Sequence, residues 1–394
     1  MYGSLMTNDT RFPVRRVYET EHEDFRASFR RFLDTRVVPD YAKWEAEGLF
    51  PREVFAEAGS HGFLGMAIDE EYGGGGVDDF RFNAVMAEEV ADAGVMSFGI
   101  NLHNDICVPY FLRYCTPEQR ARWLPGLASG ELIAAIAMTE PGTGSDLAGI
   151  TAVALREGDH YVLNGSKTFI SNGINADVVI VAARTETGDR HNGLSLMVVE
   201  RGMAGFERGR NLDKIGMHAQ DTAELSFTDV RVPVDNVLGE PGSGFRQLVS
   251  NLPQERMTIA VASTAAANRA VELARDHIMT RTAFGKPLAA NQNSRFTLAD
   301  AHVQVQVVRA FVDECLRDHA TAELGADRAA MAKLAATEVQ GRVVDACLQM
   351  FGGYGYMAEY PIARAYVDAR VQRIYGGTSE IMKEIVGKSM GLTA

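Results

Sequence analysis

Several short runs in this 394-residue chain carry side chains able to do chemistry. Leu252-Pro-Gln-Glu255-Arg256 sets a carboxylate beside a guanidinium at the predicted start of a long helix. Such an acid can take a proton, or it can simply complement the helix dipole in the first turn. Thr139-Glu-Pro-Gly-Thr-Gly-Ser-Asp146 is packed with turn formers and small hydroxyls. It can aim several backbone N–H groups at an anion or a polar ring edge, or serve as a plain turn between domains. Thr378-Ser379-Glu380 follows Gly376-Gly377 and reads as a helix N-terminus with a hydroxyl cap, suited to a phosphate or to capping alone.

Other chemistries are excluded by spacing. Gly353-x-Gly355-x-x-Ala358 has the outline of a dinucleotide fingerprint, but it follows a helical run and not a strand. Phe284-Gly-Lys-Pro lacks the upstream glycine and the Ser/Thr of a phosphate-binding P-loop. The nine histidines include no HExxH-like pair, so neither a metal site nor a histidine-centred hydrolase is expected. The four cysteines, Cys107, Cys115, Cys315 and Cys347, form no CxxC pair and imply no zinc framework or disulfide scaffold.

Composition narrows the partners. Lys+Arg 39 against Asp+Glu 52 leaves a net charge of −13, which argues against nucleic-acid phosphates or anionic lipid as ligands. A hydrophobic share of 46% and a charged share of 23% are ordinary for a globular chain. Residues 1–16 carry Arg11, Arg15 and Arg16 but no apolar signal core, Gly3 is not placed for acylation, and the Gly-Leu-Thr-Ala end has no prenylation cysteine. With no apolar run near ~18 residues, the expectation is a soluble cytoplasmic protein without membrane contact.

The elements that must position these side chains come in three blocks. In the first, Phe25, Phe29, Phe32 and Leu33 recur at helical spacing up to Pro39, which is expected to close the helix; residues 54–58, 85–90 and 118–124 show similar spacing, separated by the glycines of 72–77 and by Pro109 and Pro117. In the second, residues 178–183, 194–199 and 225–232 read as short β-branched strands, and Asn164-Gly165 inside 161–170 predicts a hairpin turn. A small sandwich or barrel is expected there. In the third, residues 257–281 lack Gly and Pro and predict one long helix, while Val339, Val343, Cys347 and Phe351 repeat every four residues. A helical bundle follows. The fold class is α+β, divided as 1–130 helical, 131–240 β and 241–394 bundle.

Taken together the chain resembles the acyl-CoA dehydrogenase family over essentially its whole length. Five motifs carry the resemblance in the family's order: Ala137-Met-Thr-Glu-Pro-Gly-Thr-Gly-Ser-Asp146, Lys167-Thr-Phe-Ile-Ser-Asn-Gly173, Arg281-Thr-Ala-Phe-Gly-Lys286, Gln349-Met-Phe-Gly-Gly-Tyr-Gly355 and Ile374-Tyr-Gly-Gly-Thr-Ser-Glu380. It implies an N-terminal helical domain, a central β domain and a C-terminal four-helix bundle. It also implies FAD-dependent α,β-desaturation of an acyl-CoA thioester to a trans-2-enoyl-CoA, with electrons passed to an electron-transfer flavoprotein.

Residue by residue, the resemblance puts Ile136, Met138, Thr139 and Ser145 along the flavin, with Phe169, Ile170 and Ser171 against its ring; many members have Trp where Phe169 stands. Arg281, Phe284, Gln292, Gln349 and Gly353, with Thr378 and Glu380, map to the adenine and pyrophosphate side, partly reached from a neighbouring subunit. That sharing implies at least a dimer, and the family is usually tetrameric.

The common family motif carries its catalytic glutamate where this chain has Gly376. A glycine cannot be a base. The long-chain and isovaleryl subgroups place the glutamate at the beginning of a bundle helix, and Glu255 matches that site. Gly376 then keeps a backbone N–H for the thioester carbonyl and leaves room for a bulkier acyl group. Arg256 and Gly377 become substrate contacts, with Ser145 near the pantetheine. The resemblance puts the end of the acyl pocket near a helix containing Val95–His103, where the small residues Gly94, Ser97 and Gly99 favour a deep cavity and medium-to-long chains, or simply close helix packing. The alternatives are a branched short-chain enzyme such as isovaleryl-CoA dehydrogenase, a same-fold flavin oxidase or monooxygenase, and a non-catalytic helical scaffold.

Overall fold

The computed structural model describes residues 15–186 and 192–392. The leader reading falls mostly on residues 1–14, and Thr393-Ala394 of the C-terminal reading also lie outside the described residues.

Among the described residues six α-helices come first: Thr20–Phe32 (α1), Val38–Glu47 (α2), Arg52–Ser60 (α3), Phe80–Ala93 (α4), Val108–Tyr114 (α5) and Pro117–Ser129 (α6). In α1 the apolar stripe buries Phe29 and Phe32, while Glu21 and Glu23 sit in the first turn and Arg30 and Arg31 in the last, each favourable to the dipole. The stop expected at Pro39 does not occur. A π-helical turn, Leu33–Val37, carries the chain into α2 with Pro39 in that helix's first turn. The same arrangement recurs where π-helical Leu102–Cys107 runs into α5 with Pro109 in its first turn. Proline lacks an N–H and its ring crowds the carbonyl four residues back, and a widened turn just ahead of it accommodates both.

The strands are Ala134–Ala137 (β1), Val153–Glu157 (β2), His160–Ser171 (β3), Val178–Arg184 (β4), Leu194–Glu200 (β5), Phe206–Asn211 (β6), Thr222–Pro233 (β7) and Val237–Leu238 (β8). They join in the order β6-β7-β3-β2-β4-β5-β8, with β1 parallel to β4. Asn164-Gly165 is not a hairpin turn: β3 runs straight through it, and the β2–β3 turn is Gly158-Asp159, between the pair Glu157 and His160. The Asn164 side chain exchanges hydrogen bonds with Asp229 on β7 at 3.0 and 2.9 Å, so the pair marks a bulge. A Cβ on Gly165 would lie 2.7 Å from the Ala152 Cβ, so only glycine lets the strands approach there.

The last block holds Gly244–Thr280 (α7), Gln292–Ala320 (α8), Ala326–Met350 (α9), Pro361–Ala369 (α10) and Ser379–Ser389 (α11). The long helix predicted over 257–281 thus begins thirteen residues earlier and passes through Pro253. α7, α8 and α9 pack on one another, and α11 lies against α9. Their small apolar faces, Ala260, Ala267, Ala332 and Ala336 among them, are fully buried and permit close helix approach. Among the described residues no helix is long and apolar enough to cross a membrane.

Candidate active site

Glu255 lies in the interior of α7, eleven residues after Gly244. That is about three turns from the helix start, so the dipole expected from a first-turn position does not act on it. Its environment is set by burial instead. The residue is 3% exposed, and desolvation raises the carboxyl from its ordinary range to about 7, against the opposing pull of Asn251, Tyr110 and the Arg256 charge.

The turn at 376 reaches the same face of α7. A Cβ on Gly376 would stand 2.5 Å from Ile259 Cδ1, and Ile259 is one helical turn beyond Glu255. The room expected from the missing side chain is therefore occupied by Ile259. Gly376 holds φ +62° and Gly377 φ +98°, left-handed values that glycine adopts without the strain a side chain would add. Lys333 of α9, wholly buried, donates from Nζ to the Gly377 carbonyl, and burial together with the nearby Arg256 charge lowers its ammonium to about 8. Arg256 is itself buried, and among the described residues its Nε has no hydrogen-bond partner. Glu255, Arg256, Gly376 and Gly377 thus converge, with Thr378 next in chain capping α11 by accepting from Ile381 N at 3.3 Å. Glu380 is exposed in the first turn of α11. Gly376→Ala is expected to lower stability by about 1–2 kcal/mol, the usual cost of a side chain in this left-handed conformation, as read from urea unfolding; an unchanged midpoint would mean that the turn relaxes.

A second group forms around β3. Lys167 Nζ donates to Glu140 Oε1 at 2.9 Å and to the Met138 carbonyl at 3.0 Å, and Thr168 N donates to the Thr139 carbonyl at 2.9 Å. Ile136 is buried in β1, Ile170 and Ser171 pair with β7, and Ser145 is exposed on the loop between. At the β3–β7 register break Phe169 takes φ +60° and remains 68% exposed.

The third group sits at the far end of the bundle. Arg281 stands 5.3 Å over the Tyr354 ring, and His277 stacks on Phe351 at 4.1 Å, which joins the ends of α7 and α9. A two-stranded ribbon, Thr282–Ala283 with Lys286–Pro287, holds Phe284 fully exposed at φ +51°. Gln292, Gln349 and Gly353 are exposed nearby along the chain.

Reading the sequence missed the part that supports Glu255. The π-helical segment Leu102–Cys107 links three elements. His103 bonds the Leu127 carbonyl through Nε2 at 3.0 Å and accepts from Ala134 N at 3.2 Å, which ties α6 to β1. Burial lowers its pKa to about 4 and keeps the ring neutral. The Asp105 carboxylate accepts from Thr258 Oγ1 at 2.9 Å, and its carbonyl accepts from Gln254 Nε2 at 2.8 Å. That carbonyl is four residues before Pro109, which has no N–H to offer it. Gly99, expected to widen a pocket, instead abuts Asn172, and Ser97 bonds Tyr41 and Glu45. Of the helix expected over Val95–His103, residues 95–99 form turns and only the part from Ile100 onward is helical.

Family models described as the N-terminal, middle and C-terminal domains of acyl-CoA dehydrogenase match residues 19–131, 135–230 and 242–391. The chain belongs to the acyl-CoA dehydrogenase family. The long-chain specific acyl-CoA dehydrogenase, mitochondrial, of Mus musculus is 48% identical over 96% of this chain and 88% of its own length. The crystal structure of acyl-CoA dehydrogenase from Geobacillus kaustophilus matches with TM-score 0.94 and 46% identity, covering 96% of this chain and 100% of that one. A glutaryl-CoA dehydrogenase from Mycobacterium smegmatis in complex with FADH2 matches with TM-score 0.89 and 27% identity over 96% of each chain. Family membership makes this chain an oxidoreductase with acyl-CoA dehydrogenase activity, and the family is FAD-dependent.

Proposed function

We propose that this chain desaturates a saturated medium-to-long acyl-CoA to the trans-2-enoyl-CoA with Glu255 as the base. One observation carries the reading: Gly376, the position where many members keep their glutamate, abuts Ile259, which lies one α7 turn beyond Glu255. Two alternative base positions therefore address one substrate carbon. An α proton is a weak acid, so removing it needs a carboxylate poised near the working pH, and burial supplies that for Glu255. The Gly376 N–H is the donor for the thioester carbonyl, Arg256 and Gly377 line the substrate, and Ser145 meets its pantetheine arm. The two buried cations, Arg256 and Lys333, favour negative charge developing on that carbonyl.

FAD fits the residues present. Phe169 and Phe284 are large rings held exposed in a left-handed conformation that costs an L-residue about 1–2 kcal/mol, which suits ring surfaces reserved for a ligand. Phe169, with Ile136, Met138, Thr139, Ser145, Ile170 and Ser171, would hold the flavin end; Arg281, Phe284, Gln292, Gln349 and Gly353, with Thr378 and Glu380 at the start of α11, would lie on the adenine and pyrophosphate side. When bound, FAD supplies the acceptor for the β hydride. Arg281, just past the end of α7, lies twenty-six residues beyond Glu255 with no Gly or Pro between, about 39 Å along the helix axis. That exceeds one extended dinucleotide, which supports a site completed by a neighbouring subunit in a homotetramer built as a dimer of dimers.

The reading extends to an electron-transfer flavoprotein as acceptor and to a reducing cytoplasm, which suits four free cysteines. The test is anaerobic flavin bleaching with a panel of straight and branched acyl-CoAs. Bleaching strongest with straight medium-to-long chains, and slow reoxidation in air, is the expected result. Preference for isovaleryl-CoA, or rapid reoxidation by oxygen, would overturn the substrate or the reaction assigned here.

A further inference from the structure

The carboxylate of Glu255 is held asymmetrically. Tyr110 Oη donates to Oε1 at 3.2 Å and Asn251 Nδ2 donates to the same oxygen at 3.3 Å. Among the described residues none bonds Oε2. Asn251 is 1% exposed and sits one turn before Glu255 on α7. Its amide has only one possible orientation, because Arg113 Nη1 lies 3.0 Å from Oδ1 and an arginine can only donate. The NH2 group therefore faces the carboxylate, and it also donates to the Ile106 carbonyl of the π-helical segment at 3.3 Å.

We propose that Tyr110 and Asn251 are positioning residues for the base: they pin Oε1 of Glu255 so that Oε2 is the atom that takes the α proton, with Arg113 orienting the Asn251 amide. The inference rests on Glu255 being the base. In the step, the α C–H bond breaks and Oε2 gains the proton, giving the neutral acid. The electron pair enters the new α,β double bond as the β hydride departs to the family's flavin. Two donors on Oε1 also favour the anion and offset part of the burial that would leave the base protonated. The groups facing Glu255 leave this role to them. Cys107 and Tyr110 are both pushed well up by burial and stay neutral, Tyr114 lies beyond Tyr110, Arg256 is on the same helix, and Lys333 of α9 stands beside Arg256.

The test uses FAD-loaded Tyr110→Phe and Asn251→Leu, with anaerobic flavin reduction by dodecanoyl-CoA followed from pH 6 to 9.5. Losing either donor should raise the acidic limb by about one pH unit, so that the rate falls about fivefold near the wild-type midpoint and recovers at alkaline pH. Arg113→Gln, at an exposed position, should move the limb the same way by less, which keeps the test alive if a buried variant misfolds. A limb unmoved in all three, with rates depressed evenly across pH, would overturn the inference. Glu255→Gln separates the two failures: if it is inactive while the limb stays put, only the positioning role falls, whereas wild-type reduction by it would remove the base assignment and this inference with it.

Discussion

Glu255→Gln is expected to slow anaerobic flavin reduction by a saturated acyl-CoA by about three to four orders of magnitude, the upper range for removal of a general base. Glutamine keeps the shape, and its amide oxygen can still accept from Tyr110, but it has no basic electron pair for the α proton. The same change should stabilise the fold at alkaline pH. The folded carboxyl, near 7, lies above its ordinary 4.5, so the folded state holds more protons than the unfolded chain between those values. Wild-type stability therefore falls as pH rises through that window, and the neutral amide is spared a cost on the order of a few kcal/mol. Urea unfolding at pH 5 and pH 8 reads this directly. A variant that is inactive yet more stable at pH 8 is the signature of a functional buried acid; bleaching at the wild-type rate would move the base elsewhere.

Lys167→Met is expected to destabilise the chain by about 3–5 kcal/mol, because it strips the cation from a buried ion pair and leaves its partner charged. Glu140 and Lys167 are both buried and stand 2.9 Å apart. Burial pushes the Glu140 carboxyl up, but donors from Thr151, Ala152 and Lys167 more than reverse it, leaving it below its usual range. The donors from Thr151 and Ala152 remain when the lysine is gone and continue to favour the anion. Lys167 also donates to the Met138 carbonyl, so the substitution loosens the loop proposed to line the flavin, and faster FAD loss should accompany the lower urea midpoint. A shift under about 1 kcal/mol would mean that water solvates the pair in solution.

Much of this molecule was legible without coordinates, for identifiable reasons. Helical spacing of Phe25, Phe29 and Phe32 reflects one-sided burial, and the continuous apolar runs of 178–183 and 194–199 reflect strands buried on both faces; a local pattern records each directly. The family motifs marked Glu255 and Gly376 as alternative base positions, and the structure sets Gly376 against Ile259, one turn beyond Glu255 on α7. Local rules failed where a neighbouring element overrode them. Asn164-Gly165 prefers a tight turn in isolation, but pairing with Asp229 on β7 absorbs it as a bulge. Pro39 and Pro109 end helices in isolation, whereas here a π-helical turn ahead of each lets the chain continue.

The support of the base was legible only in part. Asn251 stands four residues before Glu255, a spacing that puts both on one helix face, yet Tyr110 is 145 residues away and Lys333 is on another helix. By itself, then, the sequence determined the order of helices and strands, the family and the residue types available for proton abstraction, because these follow from side-chain pattern along one chain. Only the tertiary structure decided that Glu255 is buried and raised to about 7, that Ile259 fills the space beside Gly376, and that one carboxylate oxygen is pinned while the other is left unbonded. Desolvation and hydrogen-bond geometry depend on which distant segments meet, and no local pattern contains that.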